Sequence, residues 1–346
     1  MGELEVLILP KTLHVESIHR GGQSLERYFF HLIFRNRTPL TIRTRRVSLV
    51  LKNQESDSHL VHTFEGDFLA QLFSRSQPFI EDGDGTIDIP PGRMRGIIEY
   101  QIEGSIMLQF TEVECLFDGL DTEGGTVQGQ RQCRLSRDGA QVELTLPLRG
   151  RWWVAGGHFN LEPHSRSHLS AIRYAYDFVR IGDEGKSYRN DGLENSDYYS
   201  YGQPVLAAAA GRVITAVGDV DENMPSYSPR RNPEHYVNPV KIPMLGNHVI
   251  LRHTENAYTI YAHLQPSLKV SVNQQVDAGQ ILGTIGNSGE STEPHLHFHL
   301  ADGAHLESAN GIPVLFKGWK EDAFGIMAAP VESGVILSRE IIESVE

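Results

Sequence analysis

The segment PHLHFHL, residues 294 to 300, places His295, His297 and His299 at every second position. Alternate residues of a strand point to the same side. The segment therefore reads as a strand that carries three imidazoles in one row, with room for a metal ion or a proton relay. A polar surface strand is the plainer reading, and the rest of the chain has to decide between them.

The 346 residues are enough for two domains of ordinary size. A hydrophobic content of 40% and a charged content of 22% are those of a globular protein. The formal net charge of -13, with no large cluster of Lys and Arg, argues against a broad phosphate-binding surface, so nucleic acid is not an expected partner. No apolar run approaches the roughly 20 residues needed for a helical membrane span. The opening MGELEVLILPKTL has an apolar stretch but neither basic residues before it nor a small-residue cleavage site after it, so it does not read as a signal peptide. The two cysteines, Cys115 and Cys133, have a separation that suits a disulfide across neighbouring strands; the alternative is two buried thiols.

Residues 1–148 read as strands throughout. RRVSLVLKN puts Val47, Leu49 and Leu51 on one face, GIIEYQIEG does so with Ile98, Tyr100 and Ile102, and QVELTLPL with Val142, Leu144 and Leu146. Short strands separated by turn signals such as RNRTP, DGDG and PPG predict an antiparallel β-sandwich, with an immunoglobulin-like topology among those that fit. EDGDGTID, residues 81–88, has the acidic spacing of part of a calcium loop but lacks the remaining ligands, and reads as a solvated turn.

From residue 149 onward the composition changes, and 11 of the 16 histidines lie beyond residue 150. The strand pattern continues, so the whole chain is expected to be all-β. PVLAAAAGRVITAVGD reads as strand, Ala-Gly turn and strand, and GNHVILRHTENAYTIYAHL as a hairpin. Between them residues 218–244, rich in Pro, Asn and charge, form a long loop of the kind that is often functional.

A catalytic zinc ion takes three protein ligands and leaves one position for the attacking water. The helical His-Glu-x-x-His pattern is absent, which leaves a site built on strands. YAHL brings His263 to the end of one strand, PHLHFHL brings His295 and His297 on another, and SHLSAIRYAYDF adds His168 and Asp177. GNHVILRH, YAHL, VDAGQILGTIGNSGES and PHLHFHL follow one another in an order and at spacings that resemble the lysostaphin and LytM-type zinc metallopeptidases, which cut peptide bonds of bacterial peptidoglycan.

That resemblance covers residues 150 to about 300 and implies an antiparallel β-sheet peptidase domain with a groove over 149–346, behind an accessory sandwich. It implies Zn2+ held by His168, Asp177 and His297, with His263 and His295 as catalytic partners. His164 is the reserve for His168. The best-known members carry the first ligand four residues before the aspartate, where this chain has Arg173; the Ser-His before YAYDF matches a longer spacing. His299 reads as a support of the strand, and His248 and His253 as structural. The implied partner is peptidoglycan peptide, and the implied location is extracytoplasmic if a signal peptide precedes this sequence. A catalytically silent binding module and a zinc peptidase of another peptide are the alternatives.

Overall fold

The computed structural model describes residues 3–9, 13–20, 23–53, 55, 58–75, 86–136, 142–157, 170–225, 244–306, 308–323, 326–327, 330–334, 336 and 339–345. The chain divides into two compact units, Met1–Asp138 and Gly139–Glu346. Both are built on strands.

In the first unit the Gln23–Asn36 strand pairs with Leu4–Leu9, Glu16–Arg20 and Met94–Ser105. A second sheet runs Leu13–His14, Thr126–Ser136, Glu112–Asp121, Ile42–Asn53, Ser58–Glu65, antiparallel except for its first pair. One core joins the two sheets: Phe34 of the first packs on Phe117 of the second with ring centroids 5.2 Å apart. Val47, Leu49 and Leu51 are fully buried, as their alternation predicts.

Two local features depart from a reading of strands throughout. Leu69, Leu72 and Phe73 recur at helical spacing on a Gly66–Arg75 helix and are buried in the same core. In the Met94–Ser105 strand Ile97 and Ile102 are both buried despite opposite parity, because the register shifts where Phe30 faces Tyr100 and Leu32 faces Ile97. Cys115 and Cys133 are free and buried. They lie on paired strands, but Cys115 faces Arg131 and Cys133 faces Val113. Such diagonal neighbours are about 7–8 Å apart, beyond the roughly 4.4–6.8 Å that a disulfide spans between Cα atoms. Of the two readings open from the sequence, the structure holds the two buried thiols. The acidic turn at 81–85 lies outside the described residues.

The second unit is one large sheet whose path runs Leu144–Thr145, Phe316–Ala323, Ile341–Ser344, Arg151–Gly156, Tyr176–Val179, Leu296–Ala301, Ala257–Leu264, Asn247–Thr254, Gly211–Val217, Gln275–Val276. Leu144 and Leu146, which alternation alone groups with the preceding strands, pack with Leu148 in the core of this unit, and Val142 packs against it. Alternation assigns a face and not a sheet. The Asn247–Thr254 and Ala257–Leu264 strands form the expected hairpin. The strands on either side of the Ala-Gly turn do not: Pro204–Leu206 pairs with Ile281–Thr284 in a separate ribbon, and Gly211–Val217 joins the large sheet.

The Leu296–Ala301 strand runs between Tyr176–Val179 and Ala257–Leu264 and is buried along its length. Leu296, Phe298 and Leu300 face the aromatic core with Tyr176, Phe178, Tyr261 and Phe316. The pleat sends His297 and His299 to the opposite face.

Candidate active site

Asp177 is the register partner of His297 across the antiparallel pair that joins their strands. Side chains directly opposite lie on one face, and Asp177 Oδ1 is 3.1 Å from His297 Nδ1. His297 Nε2 lies 3.0 Å from His299 Nδ1. A carboxylate only accepts, so without a metal ion Nδ1 of His297 carries the proton toward Asp177 and its Nε2 accepts from the Nδ1–H of His299. The third member of the opening row therefore orients the second.

His263 reaches the same place by an irregularity. Tyr261 faces the core and Ala262 lies opposite His297, so strict alternation would return His263 to the core. Instead the pairing with the next strand shifts between Asn247 and Val249, and His263 adopts φ 62, a left-handed conformation that costs a non-glycine residue about 1–3 kcal/mol. Its ring then sits with centroids 4.7 Å from that of His295 and 5.7 Å from that of His297. The loop 286–293 meets it there. His263 Nδ1 lies 2.8 Å from the carbonyl oxygen of Ser288, and a carbonyl only accepts, so Nδ1 carries the proton and the neutral ring has a bare Nε2. Burial, reinforced by the neighbouring His295 and His297, pushes the pKa of His263 well below the usual imidazole value.

His295 is held the same way by the other end of that loop. Its Nδ1–H donates to Glu293 O at 2.8 Å, with Ser291 Oγ at 3.3 Å. Its Nε2 lies 3.5 Å from Asp177 Oδ1. Burial works against the imidazolium, but Asp177, followed by Glu293, outweighs it and raises the pKa.

Ser288 is itself clamped. Its hydroxyl donates to Leu264 O at 2.8 Å and accepts from Asn247 N at 2.9 Å. A Cβ on Gly246, whose φ is +55, would stand 2.4 Å from the Ser288 carbonyl carbon, so only glycine fits beneath it. The loop 286–293 thus supplies the two carbonyls that set both tautomers, Ser288 O and Glu293 O. Nothing in residue type could signal this, because the groups at work are backbone.

His248 donates to Gly246 O and His253 to Ala210 O, both at 2.8 Å, and neither contacts the site. His168 and the reserve His164 lie outside the described residues. Among the described residues no three His, Cys, Asp or Glu side chains form a group able to hold a metal ion. Asp177 and His297 fit two places of one. Ligands bound at 2.0–2.1 Å in a tetrahedron stand roughly 3.3 Å apart, close to their 3.1 Å. A neutral His295 also turns a lone pair on the Asp177 carboxylate, an arrangement that a cation between them relieves. Distance alone does not separate His295 from His297 as a ligand.

Residues 198–309 match Peptidase family M23. The match covers about a third of the chain. His263, His295 and His297 lie inside it, and Asp177 precedes it. The chain is similar to curated bacterial proteins, among them these two. Cell division protein DipM of Caulobacter vibrioides is 34% identical over 120 residues, 35% of this chain and 16% of DipM. Peptidoglycan DD-endopeptidase ShyC of Vibrio cholerae is 44% identical over 61 residues, 17% of this chain and 14% of ShyC. The chain thus spans about a sixth of the length of these relatives. The catalytic domain of lysostaphin from Staphylococcus simulans aligns over 47% of this chain and 88% of its own, with 21% identity and a TM-score of 0.27. No helix among the described residues is long and apolar enough to cross a membrane.

Proposed function

We propose that the second unit is a zinc-dependent endopeptidase that hydrolyses peptide cross-links of bacterial peptidoglycan, outside the cytoplasm. The observation that carries this reading is the contact of Asp177 Oδ1 with His297 Nδ1 beside two imidazoles whose Nδ1 protons are committed to backbone carbonyls. Similarity to a peptidoglycan DD-endopeptidase supports the substrate class. In this reading His168, Asp177 and His297 hold Zn2+, which when bound lowers the pKa of a coordinated water toward about 7.

The chain's own groups divide the remaining work. His263, kept neutral by burial, presents Nε2 as an acceptor for a proton. His295 presents Nε2 on the other side of a 4.7 Å ring separation; it donates to the developing oxyanion or to the leaving amine when protonated. Neighbouring groups whose pKa values are driven apart are the usual basis of such an acid and base pair. The first unit stands as an accessory domain.

Purified peptidoglycan or cross-bridge peptides provide the test. Release of new amino termini should stop with a chelator and return with Zn2+. One observation favours a second reading, a silent binding module: Arg173 occupies the position four before Asp177 where the best-known relatives carry a ligand. A folded, zinc-loaded protein that binds peptidoglycan and releases no amino termini would establish that alternative.

A further inference from the structure

Asn223 lies in the 218–244 stretch read from the sequence as a long loop, and in none of the motifs that carry the family resemblance. Its side-chain amide donates twice into the loop 286–293, to Gly289 O at 2.8 Å and Ser291 O at 3.0 Å. Its backbone N–H donates to Asn287 O at 2.8 Å. Its carbonyl accepts from Asn195 Nδ2 at 2.8 Å and from Asn287 Nδ2 at 3.3 Å. The Asn287 backbone N–H in turn donates to Glu222 Oε1 at 2.9 Å. Three segments distant in sequence are joined through one residue.

The two carbonyls that Asn223 grips lie between the two that face the histidines. Ser288 O takes the His263 proton and Glu293 O takes the His295 proton, with Gly289 and Ser291 between them. A loop of this length has no regular backbone ladder of its own, so its curvature is set by such side-chain bonds. We propose that Asn223 is a positioning residue: its two amide hydrogens hold the loop so that His263 and His295 both keep the Nδ1–H tautomer and turn bare Nε2 atoms inward. This rests on the peptidase reading for its catalytic meaning, and on geometry alone for the tautomers. Only a side chain with two donors on one nitrogen fills the role; aspartate at the same place offers none.

The test uses the full chain, 15N-labelled and metal-free, with long-range imidazole proton–nitrogen correlations, alongside kinetics of the zinc-loaded protein on peptidoglycan. Wild type should show Nδ1–H on both rings. Asn223→Ala and Asn223→Asp, folded, should show mixed tautomers. Their kcat should fall roughly 10–100-fold, the range for groups that orient a ligand or catalyst, with KM little changed. Unchanged imidazole spectra in either folded variant, or Nε2–H on both wild-type rings, overturns the proposal. Unfolding of both variants also overturns it, in favour of a purely structural role. If wild type cleaves no peptidoglycan the peptidase reading falls, while the spectra still report on Asn223.

Discussion

Asp177 and His297 stand opposite one another on adjacent antiparallel strands, 120 residues apart in sequence, with Oδ1 and Nδ1 3.1 Å apart. A pair fixed by strand register has little freedom to part, which suits two ligands of one metal ion. Asp177→Asn and His297→Ala should each bind less than about a tenth of the zinc that wild type retains after dialysis, and lose hydrolysis with it. Stoichiometric zinc in either variant removes that residue from the ligand set.

His263→Ala and His295→Ala should keep most of the zinc and lose roughly 10²–10⁴-fold in kcat, the span of general acid–base catalysis. Metal content and turnover measured on the same samples decide this. Because His295 Nε2 is only 3.5 Å from Asp177 Oδ1, loss of zinc in His295→Ala would make it a ligand.

His248 and His253 give stability a pH dependence that does not involve the site. Burial lowers both pKa values from 6.5. Below that value the unfolded chain binds protons that the folded chain refuses, so stability is fully present above about pH 6.5 and is lost as pH falls toward the folded pKa values. The slope is at most about 1.4 kcal/mol per pH unit for each imidazole. Denaturant midpoints at pH 7.5 and 5.5 should differ in that direction, and His253→Gln should narrow the difference. An equal difference in the variant removes His253 as a contributor.

The cysteines should remain thiols. Burial, aided by the adjacent Glu114, pushes the Cys115 thiol far above its usual pKa, and burial raises that of Cys133. A thiol reagent should label the native protein slowly and two groups after denaturation without reductant. A single mass consistent with an intramolecular disulfide would contradict the strand register.

Much of this was legible in the chain itself. Alternation in RRVSLVLKN placed Val47, Leu49 and Leu51 in a core, and His297 and His299 identified a strand with a polar face, with His295 just before its start, because a strand's period is local and follows from the pleat. The short helix at Gly66–Arg75 was lost among strands, since its large apolar residues Phe68, Leu69, Leu72 and Phe73 are too few to stand out against alternating neighbours.

The sequence by itself determined an all-β chain whose composition changes near its middle, and it singled out Asp177, His263, His295 and His297 by their motifs. Tertiary structure alone decided how they meet. Register sets Asp177 against His297, and a left-handed residue at a strand irregularity turns His263 out of the core. Backbone carbonyls of a loop assign the protons of two imidazoles. Each of these is a relation between segments far apart in the chain, carried by groups that every residue possesses, and the order of side chains therefore holds no record of it.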